Sequence, residues 1–262
     1  MEIPVEAWYQ AIFIRRSRRK FKPDTVPSDK LERFASVCLN FRPFPEARAV
    51  LVLEPGDDVF RGFIGSYGKI ERAPGYIALL GNTESQRVQE AVGYTGEGII
   101  LEATALGLGT CWVGGYFHPD VVSGQIEIGR NERVLAVSPF GIPLEAFSFQ
   151  EKLMTGFGYM HRRKGLDELV SGTVKQEWMK TALEAARLAP SAVNRQPWRF
   201  VCGDNTICIN LDRGRDTYKI SRRLDCGIVM LHLELGARHA GANGGWTFPP
   251  ESVSCFTADS GP

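Results

Sequence analysis

Two apolar helical segments, one in each half of the sequence, each lead into a glycine-rich turn and a tryptophan. This repeated order constrains the fold more than any other feature. The first runs from Ser85 to Leu108 and is apolar almost all round beyond Gly98, through Ile99, Ile100, Leu101, Ala103, Ala105 and Leu106. That pattern belongs to a helix sunk in a core rather than laid on a surface. Gly107-Leu108-Gly109 ends it, and Trp112 follows. The second contains Gly227-Ile228-Val229-Met230-Leu231 and Gly236, then Gly241-Ala242-Asn243-Gly244-Gly245 and Trp246. The interval from Gly98 to Gly107 equals that from Gly227 to Gly236, so these glycines align one with one. A strand candidate closes each series, Val134–Val137 in the first half and Val253–Phe256 in the second. The ordered matches point to a degenerate internal repeat.

The remaining elements follow from local pattern. Val5 to Arg15 has helical spacing, with Trp8, Ile12 and Arg15 on neighbouring turns. Ser28 reads as the N-cap of a second helix whose buried face carries Leu31, Phe34, Ala35 and Cys38. Ala49–Leu53 before Pro55-Gly56 and Tyr76–Leu80 before Gly81-Asn82 read as strands. Thr110–Val113 reads as another, and Val134–Val137 as a strand ended by Pro139-Phe140-Gly141. A weakly patterned connection, Val170-Ser171-Gly172-Thr173, precedes a helix beginning near Gln176 with Trp178, Leu183, Ala186 and Leu188 in its apolar stripe. The domain boundary falls there, giving units 1–170 and 171–262.

A net charge of +1 argues against a dedicated nucleic-acid binder. No apolar stretch approaches the roughly 20 residues of a membrane span, and the first residues do not read as a signal peptide. The six cysteines are scattered, with no C-x-x-C pair and no zinc spacing, so they read as reduced buried thiols of a cytoplasmic protein. The histidines form no metal pattern. Motifs for hydrolase, nucleotide-triphosphate or Rossmann chemistry are missing from the sequence.

Three segments carry chemistry. Arg15-Arg16-Ser17-Arg18-Arg19 crowds guanidiniums that repel one another unless an anion sits between them, and Arg15 and Arg19 share a face if the segment stays helical. A solvated basic face explains the same residues. Pro190-Ser191-Ala192-Val193-Asn194-Arg195-Gln196-Pro197-Trp198 follows a helix stopped by Pro190. Its small residues allow close approach of a planar ligand, and its amides both donate and accept; a polar loop capped by a core tryptophan is the other reading. Gly114-Gly115, after Thr110–Val113, brings backbone N–H groups near a ligand atom or simply forms a turn.

Together with Arg163-Lys164-x-Leu166, these segments resemble the FMN-dependent nitroreductase family across most of the chain. The resemblance implies an α+β fold, with a mostly antiparallel central sheet flanked by helices. In that family the arginine motif and the proline–serine–asparagine motif lie close together in one subunit. Here the first half has Asn40-Phe41-Arg42-Pro43-Phe44-Pro45 where the second motif is expected, and the second half lacks the arginines. The implied arrangement is an intrachain pseudo-dimer, a monomer in which each half supplies one wall of a single FMN site.

Carried over residue by residue, Arg15, Arg16, Ser17, Arg162 and Arg163 would hold the FMN phosphate. Arg19 and Lys69 would face the pyrimidine side of the ring, and Ser66 stands where the family often has an amide. Val113, Gly114 and Gly115 would run past the ring, with Pro190, Ser191, Ala192, Asn194 and Gln196 covering it. The implied chemistry is hydride transfer from NAD(P)H through FMN to a small-molecule acceptor such as a nitroaromatic or a quinone, with no catalytic side chain and no metal. Flavin sequestration without turnover, dehalogenation and flavin modification are the alternatives. The sequence leaves open the acceptor, the choice of NADH or NADPH, and further oligomerisation.

Overall fold

The computed structural model describes residues 1–60, 69–144, 162–217 and 219–259. In chain order the first elements are α1 (Val5–Ile14), α2 (Ser28–Asn40), β1 (Ala47–Val52), α3 (Asp57–Phe60), β2 (Gly75–Asn82), α4 (Val88–Ala105), β3 (Gly109–Thr110), α5 (Pro119–Ser123) and β4 (Glu132–Gly141). After them come α6 (Leu166–Leu169), β5 (Val170–Gly172), α7 (Glu177–Arg187), β6 (Trp198–Cys202), β7 (Thr206–Leu211), α8 (Arg222–His239), β8 (Gly244–Thr247) and β9 (Ser254–Ala258). Among the described residues no helix is long and apolar enough to cross a membrane.

The strands form two sheets, ordered β1-β2-β4-β3 and β5-β6-β7-β9-β8. Every pairing is antiparallel except β5 on β6. Without β5, the second sheet repeats the order of the first strand for strand. This is the α+β architecture of antiparallel sheets and flanking helices expected from the sequence. β4 runs on through Pro139 to Gly141, beyond the expected stop, because Tyr76 of β2 lies opposite Pro139 and Gly75 opposite Phe140. The Thr110–Val113 strand is shorter than expected: β3 ends at Thr110, and Val113 makes an isolated bridge to Val137.

α4 and α8 are buried along almost their whole length and cross at the centre of the molecule. A Cβ on Gly93 would lie 2.1 Å from the Leu224 carbonyl oxygen, and one on Gly227 would lie 2.1 Å from that of Glu90. The helices approach so closely only because both positions lack a side chain.

Both helices end in the same hydrogen-bonded turn. Leu108 N–H donates to the Ala103 carbonyl at 2.8 Å and Gly107 N–H to that of Thr104 at 2.9 Å. Ala242 N–H donates to Ala237 and Gly241 N–H to Arg238, each at 2.9 Å. Gly107 (φ 79°) and Gly241 (φ 84°) take the left-handed conformation that closes this turn. The repeat therefore pairs Gly93 with Gly227, Gly107 with Gly241 and Trp112 with Trp246. The register expected from glycine spacing is displaced from this one. Gly98 is small for Phe41 and Trp8 and Gly236 for Ala182 of α7, so these two glycines answer to different neighbours.

The cysteines also depart from expectation. Cys208 on β7 lies opposite Cys255 on β9, and the two form a disulfide. Cys38, Cys111, Cys202 and Cys226 are free and buried. Spacing along the chain carries no trace of the pairing, which the sheet register creates.

Candidate functional site

α1 stops at Ile14, and the arginine run leaves it as extended chain. Arg15 N–H still donates to Ala11 at 2.8 Å, but its ψ of 128° ends the helix. Ser17 then pairs with Thr110, Lys20 with Glu71 and Phe21 with Pro143. The helical face shared by Arg15 and Arg19 is thus replaced by strand-like alternation. Glu71 N–H donates to the Arg19 carbonyl at 2.9 Å, which brings the segment of Lys69 alongside that of Arg19. Lys69 itself is exposed. Ser66 lies outside the described residues.

The run delivers Arg15 to a buried position, 8% exposed. Burial pushes its guanidinium below the ordinary range; Glu97 opposes that push and Arg16 adds to it. Burial, followed by the charges of Arg15 and Arg16, brings Arg163 down to about 10. Guanidiniums from two distant segments therefore share one poorly solvated space. Beside them Arg18 N–H donates to the Thr110 carbonyl at 2.7 Å, while the buried Thr110 hydroxyl has no hydrogen-bond partner among the described residues.

The proline–asparagine turn closes on this cluster. Arg163 donates to Asn194 Oδ1 and, at 3.0 Å, to the Leu188 carbonyl. Asn194 Nδ2 and Gln196 Nε2 donate to the Arg162 carbonyl at 2.9 and 3.0 Å, and Gln196 Oε1 accepts from Lys164 N–H at 2.8 Å. The two amides are thus engaged in holding residues 162–164. Val193, Asn194 and Gln196 all have positive φ, a conformation costing of order 1–3 kcal/mol per residue.

The strain in this turn is held from below. Ser191 Oγ accepts from Gln196 N–H at 3.0 Å, and buried Asp225 accepts from Ala192 N–H at 3.0 Å and Arg195 Nε at 2.6 Å. Pro190 and Ala192 lie on the same turn, half-buried. On the opposite wall Val113 exchanges two 2.9 Å bonds with Val137, and Ile220 approaches to 3.3 Å from a Cβ placed on Gly114. Gly115 follows, half-buried.

The countercharge of this cluster does not stand out in the sequence motifs. Glu97, on α4 and fully buried, accepts from Trp112 Nε1 at 2.7 Å and lies 2.8 Å from His232 Nε2 of α8. His232 Nδ1 is 3.1 Å from the Ala185 carbonyl, an acceptor only, so that nitrogen carries a proton. A glutamate flanked by Gly96 and Gly98 in an apolar helix was the available signal. Asp225 and Ile220 gave none, because only the fold carries them to the turn and to Gly114. Among the described residues no group of three or more His, Cys, Asp or Glu side chains is placed to hold a metal.

Residues 7–237 match the family described as "Putative TM nitroreductase". A protein of Thermotoga maritima described as a "putative nitroreductase" shares the fold at 22% identity and a TM-score of 0.64, covering 95% of this chain and 93% of that one. A nitroreductase from Bacteroides fragilis, crystallised with bound FMN, aligns at 15% identity over 54% of this chain and 91% of its own, with a TM-score of 0.43. A Mycobacterium tuberculosis protein named "Putative NAD(P)H nitroreductase acg" is 34% identical over 73 residues, 26% of this chain. The match covers only 22% of that relative's length.

Proposed function

Because the chain belongs to the TM nitroreductase family, we propose that it is an FMN-dependent oxidoreductase whose single flavin site is built by both halves of one polypeptide. The observation that carries this reading is the buried cluster of Arg15 and Arg163 with Arg16 beside them. Crowded guanidiniums with little water around them call for an anion, and Arg binds phosphate oxygens bidentately. Thr110, bridged to Ser17 of the same run, has a buried hydroxyl with no partner among the described residues and could add a donor. The residues present therefore fit a flavin phosphate.

Arg15, Arg16, Ser17, Arg162 and Arg163 would hold that phosphate, with Arg19 and Lys69 toward the pyrimidine edge. Val113, Gly114 and Gly115 would run past the edge of the ring, and Pro190, Ser191 and Ala192 would cover one face, leaving the other to the substrates. Asn194 and Gln196 serve the site by fixing the Arg162–Lys164 segment, so their contribution is positional. FMN, when bound, supplies hydride transfer between NAD(P)H and an acceptor such as a nitroaromatic or a quinone. The protein's work is to bind, orient and exclude water, with Glu97 offsetting part of the clamp's positive charge.

The test is direct. Purified chain incubated with FMN should retain it through gel filtration, and NAD(P)H added without oxygen should bleach the flavin absorbance. Arg163→Met should weaken FMN retention by roughly tenfold or more, since a hydrogen bond to a charged group is worth about 1.5–3 kcal/mol. Flavin that binds but does not bleach would leave sequestration as the function. Unchanged binding in Arg163→Met would remove the clamp.

A further inference from the structure

The connection between β7 and α8, of which residues 212–217 and 219–221 are described, has no part in the flavin site as assigned, yet at Ile220 it lies against that site. Ile220 abuts Gly114. Arg195, anchored by Asp225, donates to Thr217 Oγ1 at 3.2 Å and from both terminal nitrogens to the Ile220 carbonyl at 3.1 Å.

The two acids of the connection are used within its own neighbourhood. Asp212 pairs with Arg222 at 2.6 Å and with Arg199 at 3.6 Å, and Asp216 accepts from the Arg222 N–H at 2.9 Å. Arg213, Arg215 and Lys219 remain. All three are exposed, and none has a hydrogen-bond or ion-pair partner among the described residues. The matching connection of the first half, residues 83–87, is shorter, and its one cation, Arg87, is spent on the Phe248 ring and on Glu46. A longer connection with unneutralised positive charge therefore exists only on the side that carries the arginine clamp.

We propose that Arg213, Arg215 and Lys219 read a phosphate group on the reductant, so that the chain selects NADPH over NADH. The assignment rests on the flavin reading above. The two dinucleotides differ only in the 2′-phosphate of the adenosine, a monoester carrying close to two negative charges near neutral pH. With the edge of the ring along Gly114, as proposed above, a reductant stacked on its open face would lie beside Ile220 and the connection to which it belongs. Guanidiniums free of competing carboxylates bind such a monoester through paired N–H donors, and exposed cations steer it in a salt-dependent way.

The experiment uses FMN-saturated protein and titrates adenosine 2′,5′-bisphosphate against 5′-AMP by calorimetry, so it needs no turnover. The bisphosphate should bind at least about tenfold more tightly, and the preference should shrink as salt is raised from low to physiological levels. In the triple variant Arg213→Ser, Arg215→Ser, Lys219→Ser the two affinities should converge while the thermal midpoint stays in place. Equal affinities in the parent chain, or a preference that survives in the triple variant, would overturn the assignment. Protein that takes up no FMN would overturn the flavin reading first, and this assignment with it.

Discussion

Asp225 is 1% exposed, and burial raises its carboxyl to about 6 against the pull of Arg195 and the Ala192 N–H. Between about pH 4 and 6 the folded chain therefore binds a proton that the unfolded chain does not. The sign follows: this group makes the protein less stable as pH rises through that window and contributes a constant penalty above it. At about 1.4 kcal/mol per pKa unit the effect amounts to roughly 3 kcal/mol. Urea unfolding of the parent and of Asp225→Asn at a series of pH values should show their stability difference changing by that amount between pH 4 and 6, then levelling. A difference that stays flat with pH would show that Asp225 titrates normally. Ionised Asp225 nonetheless holds Ala192 and Arg195 in the strained turn. Overall stability and order in the turn should thus move in opposite directions with pH, with flavin retention following the turn.

At the scale of elements, the α4–α8 crossing joins the two halves beneath the candidate site. Gly227→Ala would place a carbon 2.1 Å from the Glu90 carbonyl oxygen and force the helices apart. Overpacking of this kind costs about 1–3 kcal/mol. Because Glu97 on α4 contacts His232 on α8, the variant should lose flavin retention together with stability. Thermal unfolding and retained absorbance would check this, and an unchanged midpoint would mean that the helices separate freely. Both core helices were legible in the sequence because an all-round apolar pattern is a local property. Their register was not, since Gly98 and Gly236 answer to Phe41 and Ala182, neighbours brought by tertiary packing. The motifs of the site were legible for the same local reason. The path of the arginine run was hidden because its extended form depends on Thr110 and Glu71. The cross-strand disulfide and the strands β6 and β7 were hidden for a related reason, because sheet pairing settles them.

For the whole molecule, the repeat bears on the proposal of one flavin per chain, because the fold has two related ends. Continuing the pairing of Trp112 with Trp246 sets Phe248-Pro249 opposite Gly114-Gly115. The shared strand order, which matches β1 with β6, sets the turn before β1, Pro43-Phe44-Pro45, opposite the proline–asparagine turn before β6. At this second end the Phe44 ring stands 6.1 Å from Phe248 and 5.2 Å from Tyr94, and Arg87 lies 4.5 Å over Phe248. Glu234, the acid of that end, is occupied by Tyr94, Trp246 and Arg238 at 2.6–2.7 Å. Aromatic rings thus occupy the related volume, and the acid there already has a cation, so among the described residues nothing at that end is prepared for a phosphate. Flavin absorbance against protein mass, measured on a species sized by light scattering, should give one FMN per chain. Phe44→Ala with Phe248→Gly should open a cavity without raising that ratio, because no arginine clamp stands behind the rings. A ratio of two in the parent chain would mean that the second end binds flavin despite its aromatic filling, and the single shared site would have to be abandoned.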